Sequence, residues 1–153
     1  MTKPLRLGIA GLGTVGAGVV KIVQTHADLL ASRTGRMVTI SAVSARSKTR
    51  DRGVDLSGYG WEDDPVALAV RDDVDVFVEL MGGEDGPAKA ATEAAIAAGK
   101  DVVTANKAMM AVHGQALAEA AEAKGACLRF EAAVAGGIPV IKSLAEGLAG
   151  NDI

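Results

Sequence analysis

The sequence predicts an α/β protein: a doubly wound parallel sheet between two layers of helices, a three-layer αβα arrangement. Three observations predict it. Apolar runs of strand length alternate with helix-patterned segments along all 153 residues, and strands separated by helices of this length imply right-handed crossovers and a parallel sheet. The composition is 49% hydrophobic but only 3% aromatic, so the core is built from Ala, Val, Leu and Ile, which suits helices packed closely on such a sheet. Finally, the first strand runs straight into Gly11-Leu12-Gly13-Thr14-Val15-Gly16. That glycine spacing has structural meaning only between a strand and a helix, and it has both.

The elements follow in order. Leu5–Ala10 reads as the first strand and Thr14–Leu30 as a helix, with Val15, Val19, Val20, Ile22 and Val23 on the apolar period. Val38–Val43 is the second strand. Ser47–Asp64, rich in Gly, Asp, Arg and Lys, reads as a mostly exposed connection. Then come a short helix Pro65–Val70, the third strand Val74–Leu80, a helix Pro87–Ala98, the fourth strand Asp101–Thr104, a helix Gly114–Lys124, the fifth strand Cys127–Ala132 and a last helix Pro139–Leu148. Pro65, Pro87 and Pro139 stand where a first helical turn tolerates proline, and Gly99, Gly125 and Gly150 where helices stop. Residues 1–153 are expected to form one domain. Asn151-Asp152-Ile153 starts something after a helix end and stops, which suggests a chain cut there; a frayed natural terminus is the alternative.

Several classes are excluded. The formal net charge is −3 and no basic block occurs, so no nucleic-acid partner is expected. No apolar stretch is long enough to span a membrane. The apolar run after Lys3 is short and breaks at the glycines, so no leader is expected and the cytoplasm is the expected compartment. The single cysteine, Cys127, can form no intrachain disulfide, and its strand context suggests a buried structural thiol.

Each glycine of the motif has its own role. Gly11 allows the tight turn, Gly13 lets a pyrophosphate approach the backbone, and Gly16 permits close packing of helix on strand. The helix that follows offers free N–H groups and the positive end of its dipole to the phosphates. This reads as the dinucleotide-binding turn of a Rossmann-type fold; the alternative is a glycine-rich βα turn that binds nothing. Such folds usually carry a carboxylate at the end of the second strand for the ribose 2′-hydroxyl, but here the sequence is Ser44-Ala45-Arg46-Ser47-Lys48. Arg46 and Lys48 suit a 2′-phosphate, so NADP is expected over NAD; the alternative is a pair of solvated loop charges. The third strand ends in Glu79-Leu80-Met81-Gly82-Gly83, where Gly82 allows close backbone approach near the cofactor. The fourth ends in Val103-Thr104-Ala105-Asn106-Lys107, with Lys107 at the edge of the sheet where ligands bind. Lys107 is a candidate cation for a reacting carbonyl or a substrate carboxylate; the alternative is a surface lysine at a helix start. Glu131, before a glycine-rich turn, reads as a buried acid, a hydrogen-bond anchor or a ligand for a hard cation.

The order GLGTVGAGV, ELMGG, VTANKA, HG and FEAAVAGGIPVIKSLAEGLAGN resembles the N-terminal part of homoserine dehydrogenase over essentially the whole chain. The TANKA and EAAVAGGIP segments are far more specific than the glycine motif. The resemblance implies an NAD(P)-dependent enzyme that interconverts L-homoserine and L-aspartate 4-semialdehyde on the route to threonine, methionine and isoleucine. It implies that Gly11, Leu12, Gly13, Thr14, Val15 and Gly16 hold the pyrophosphate, and that Arg46 contacts the adenosine ribose or its phosphate. Thr104 and Lys107 would lie near the nicotinamide, with Lys107 the catalytic candidate for substrate handling or proton transfer. It implies a sodium ion on Glu131 and the carbonyls of Val134, Gly136 and Ile138. Members of the family continue into a substrate-binding, dimer-forming domain that this sequence lacks. The expectation is therefore the cofactor-binding domain of an enzyme that is a homodimer at full length, inactive by itself. The alternatives are another Rossmann-type amino-acid dehydrogenase, against which TANKA with EAAVAGGIP argues, and a non-catalytic NADP-binding regulatory module.

Overall fold

In a computed structural model, residues 3–150 are described; Asn151–Ile153, where the sequence suggests a cut chain, lie outside them. The chain runs β1 (Leu5–Ala10), α1 (Thr14–Thr25), α2 (Ala27–Thr34), β2 (Val38–Ser44), β3 (Gly60–Glu62), α3 (Pro65–Val70), β4 (Val76–Glu79), α4 (Pro87–Ala97), β5 (Asp101–Thr104), α5 (Lys107–Lys124), β6 (Leu128–Arg129), α6 (Glu131–Val134) and α7 (Val140–Lys142), which passes into a π-type turn at Ser143–Gly147. The six strands form one sheet in the order β3-β2-β1-β4-β5-β6, and every pairing is parallel. This is the doubly wound order, with its reversal between β1 and β4.

Period-two alternation in β1 and β4 sorts the core onto the two faces of the sheet, while in β2 the pairing skips Ser41 between Leu7↔Ile40 and Gly8↔Ala42, so that Ile40 and Val43 share a face. Leu7 and Ile9 of β1, Ile40 and Val43 of β2, and Val76 and Val78 of β4 pack with Val20 and Val23 of α1. On the other face Ala10, Ala42, Phe77 and Val102 meet Leu68 of α3, Ala91, Ala95 and Ile96 of α4, and Met109 and Leu117 of α5. The many alanines let α3, α4 and α5 sit close to the strands, as the aromatic-poor composition requires.

Four elements differ from the sequence-based expectation. β3 lies within the stretch read as a connection: three residues pair with Ala42–Ser44 at the sheet edge. The first helix breaks at His26, whose N–H closes α1 on Ile22 at 2.9 Å and whose carbonyl opens α2 to Leu30 at 2.9 Å; the bend lets Leu30 pack back on the core. α5 begins at Lys107, seven residues before Gly114, because Asn106 caps it: the Asn106 side chain accepts from the Met109 N–H at 3.1 Å. The last strand stops at Arg129, and Glu131 opens α6 rather than ending a strand. Cys127 is half-buried, not buried, because it leads into β6, the strand at the edge of the sheet.

Candidate cofactor-binding site

The carboxyl ends of β1 and β4 open into a crevice of about 460 Å³, at the point where the strand order reverses and ligands bind in such sheets. The turn after β1 forms its floor. Gly11 has φ +94°, and a Cβ there would lie 2.5 Å from the Leu80 carbonyl. A Cβ on Gly16 would lie 1.9 Å from the Gly11 oxygen. Both glycines are therefore demanded by the protein's own backbone. Gly13 differs: its φ is −75°, ordinary for any residue, and a Cβ there would meet nothing within 4 Å. It is also the N-cap of α1, which has no side-chain cap and no acidic residue in its first turn. The helix end is thus left to an external anion, the arrangement that binds phosphate. Leu12 is buried in the core and also lines the crevice, while Thr14 and Val15 are exposed on the first turn of α1.

The opposite wall is the turn after β4, held from below. Glu79 is fully buried. Its Oε1 accepts from the N–H groups of Met81 at 2.7 Å and Gly82 at 3.2 Å, and its Oε2 accepts from the Thr104 hydroxyl at 2.5 Å. The Thr104 oxygen accepts in turn from the Asn106 N–H at 3.0 Å, and Asn106 Nδ2 donates to the Gly83 carbonyl at 2.6 Å. A buried carboxylate persists only when its lone pairs are met; three donors meet this one. The network ties the Gly82–Gly83 turn to the start of α5, which carries Lys107.

The side wall is the loop after β2. Arg46, Arg50 and Arg52 line it, with Asp63 beside them. Among the sequence-predicted residues the crevice therefore gathers Gly11, Leu12, Gly13, Arg46 and Gly82. Thr104 is buried under it in the Glu79 network. Lys48 stands 6.0 Å from the Trp61 ring centroid rather than in the crevice lining. Lys107 is exposed at the first turn of α5 without an ion-pair partner among the described residues. Glu131 accepts from the Lys142 N–H at 3.3 Å. Val134, Gly136 and Ile138 lie in the following turn, where the Ile138 carbonyl accepts from the Val140 N–H at 2.8 Å. Among the described residues no three His, Cys, Asp or Glu side chains come together as metal ligands, and no helix is long and apolar enough to cross a membrane.

Sequence reasoning missed Arg50, Arg52 and Asp63, all inside the stretch read as an unpatterned connection. The only sequence signal for them is charge density, which solvated loops share. The Glu79 carboxylate lies in a motif read for its glycines.

The family model for the homoserine dehydrogenase NAD-binding domain matches residues 11–131. The chain is 46% identical over 151 residues to homoserine dehydrogenase of Neisseria gonorrhoeae, covering 99% of this chain and 34% of that one. It is 42% identical over 158 residues to homoserine dehydrogenase of Bacillus subtilis, covering 99% and 35%. Among solved structures, the homoserine dehydrogenase from Thiobacillus denitrificans superposes with a TM-score of 0.88 at 40% identity, over 97% of this chain and 34% of that one. The Staphylococcus aureus enzyme at pH 8.5 superposes with 0.81 at 36% identity, over 90% and 34%. The chain thus spans about a third of the length of the relatives it matches, and that third contains the glycine turn, the β4 turn and the crevice between them. The match begins at Gly11, at the floor of the crevice, and ends at Glu131: the chain belongs to the homoserine dehydrogenase NAD-binding domain family.

Proposed function

We propose that the chain is the cofactor-binding portion of a homoserine dehydrogenase, that it takes NADP in preference to NAD, and that oxidation of homoserine to aspartate semialdehyde needs protein beyond these residues. One observation carries the cofactor reading. Of the three motif glycines, Gly11 and Gly16 are required by the protein's own packing, whereas the space at Gly13 is open to the crevice. Gly13 lines the crevice, so the missing side chain there leaves room for a closely approaching ligand, and the bare N-terminus of α1 suits a pyrophosphate. Support for NADP comes from the end of β2, where Ser44 takes the place usual for a ribose-binding carboxylate and Arg46 follows in the crevice wall.

A bound nicotinamide supplies the hydride acceptor. The chain's own residues hold the phosphates at the α1 terminus and shape the crevice through the Glu79 network. Lys107, exposed at the start of α5, is the candidate to meet a substrate carboxylate or exchange the hydroxyl proton. The same reading includes a sodium ion on the Glu131 carboxylate and the carbonyls of Val134, Gly136 and Ile138, an all-oxygen set that suits a hard cation. A sodium-dependent rise in melting temperature that Glu131→Ala abolishes is the check. The partners are a small-molecule substrate and, at full length, a second copy of the protein, working in the cytoplasm without nucleic acid.

Titration of NADP and NAD into the wild-type chain and Arg46→Ala tests the cofactor reading. Wild type is expected to favour NADP and the variant to lose that preference. An unchanged preference refutes the NADP assignment, and no binding of either refutes the cofactor site. In any longer natural product of the gene, Lys107→Ala is expected to depress turnover far more than cofactor affinity. Homoserine oxidation by the 153-residue chain alone would overturn its incompleteness.

A further inference from the structure

Arg52 is the most heavily engaged cation of the crevice wall, and none of its bonds goes to a carboxylate. Its Nε donates to the Leu12 carbonyl at 3.1 Å, one Nη to the Arg50 carbonyl at 2.6 Å, and the other Nη to the Ser47 carbonyl. Its guanidinium carbon stands 5.8 Å from the Trp61 ring centroid, within the range of cation–π attraction. One planar fork therefore joins two walls: the glycine turn, through Leu12, and the loop after β2, through Ser47 and Arg50. By contrast, the guanidiniums of Arg46 and Arg50 make no hydrogen bond or ion pair with any described residue, and both line the crevice. Asp63, the acidic residue of that wall, is already taken, its Oδ1 accepting from Trp61 Nε1 at 2.8 Å.

We propose that Arg52 is the positioning residue for cofactor selectivity: by stapling Ser47 and Arg50 to the glycine turn, it sets the unpartnered Arg46 and Arg50 as a clamp for the 2′-phosphate of NADP. This rests on the cofactor reading above and adds to it a residue that acts without touching the ligand. The division of labour follows from what else holds each wall. The glycine turn is over-determined, with Gly11 N–H on the Ser44 carbonyl at 2.9 Å and Gly16 packed beneath it. The loop is anchored on the core at Ala45 and again from Val54 onward, and by Gln24 Nε2 on the Asp55 carbonyl at 2.6 Å. Among the described residues, its crevice-facing part between them is held only by Arg52 and a local bond from the Gly53 N–H to Asp51 at 2.9 Å. Loss of Arg52 therefore frees that part of the loop, and with it the two cations, while the pyrophosphate floor remains. Lysine cannot replace it, because a single ammonium lacks the planar fork that reaches three separate carbonyls.

The experiment measures dissociation constants of NADPH and NADH for the 153-residue chain, read from the nicotinamide emission of the bound cofactor. Arg52→Gln and Arg52→Lys are each expected to lower the NADPH/NADH affinity ratio about tenfold, the scale of one charge-assisted contact. Adding Arg46→Ala to Arg52→Gln is expected to cost little more, because residues acting as one unit are not additive. Equal losses of both cofactors would make Arg52 a staple of the whole crevice and overturn the proposal, as would additive losses, which mean direct contact with the phosphate. Should Arg52 variants not fold, Trp61→Leu, which removes the ring behind the guanidinium, must show the same selective loss. Wild type that binds both cofactors equally refutes the clamp while leaving the dinucleotide site standing; wild type that binds neither refutes both readings.

Discussion

At the scale of single residues, the glycine motif divides into positions the fold requires and a position the ligand requires, and substitution separates them. Gly16→Ala places a Cβ 1.9 Å from the Gly11 oxygen, a backbone atom that cannot swing aside, so a destabilisation of about 3 kcal/mol or more is expected. Gly13→Ala meets open space at a φ of −75°. It should cost no more than about 1 kcal/mol, the N-cap preference of glycine over alanine, yet abolish NADPH binding because the methyl group occupies the phosphate approach. Denaturant melts and fluorescence titration of the two variants check this; a Gly13→Ala chain that binds as well as wild type refutes the ligand-driven reading of that glycine. The roles of these glycines are legible in the sequence because each depends on spacing between a strand and a helix. The role of Arg52 is not legible, because it depends on three carbonyls from two loops that meet only in the fold.

At the scale of elements, the long-range order of strands and helices follows from apolar periodicity, and the misread elements are those in which something other than periodicity decides. β3 is too short for an alternating pattern and exists because the edge of β2 offers it unpaired backbone groups. The start of α5 is set by a side chain, not by a hydrophobic stripe. Asn106 caps the helix through Met109 N–H and reaches the Gly83 carbonyl, so one residue fixes both the helix that carries Lys107 and the turn beside the crevice. Asn106→Ala is expected to cost about 1–2 kcal/mol from the lost cap. It should also loosen the Gly82–Gly83 turn, which hydrogen exchange of the Met81 and Gly82 amides would register. Protection unchanged from wild type would show that Glu79 alone holds that turn.

At the scale of the whole molecule, the crevice and the Arg6–Asp75 ion pair sit at opposite ends of β1 and β4. At the amino-terminal ends of β1 and β4, Arg6 donates to both carboxylate oxygens of Asp75, at 3.0 and 2.7 Å, and the Arg6 N–H donates to Asp75 at 3.0 Å. Arg71 forks onto Asp73 at 2.8 Å through two nitrogens and also reaches Glu62. These bonds to guanidinium hold the Asp75 and Asp73 carboxyls below the ordinary carboxylate range. A carboxyl whose folded pKa is depressed adds stability that is whole above its unfolded value, near 3.9, and is lost as pH falls through the folded value. Asp75, the better shielded of the two at 23% side-chain exposure against 45% for Asp73, should dominate, since solvent screens the more exposed pair. The urea midpoint is therefore expected to be level above about pH 5 and to fall steeply below about pH 4, with Asp75→Asn less stable at neutral pH and flatter in that acid limb. Because the crevice lines the carboxyl ends of β1 and β4, this variant should bind NADPH as wild type does wherever it remains folded. An acid limb as steep in Asp75→Asn as in wild type would place the titrating groups elsewhere. A parallel loss of NADPH affinity would show that the two ends of the sheet are coupled through β1 and β4.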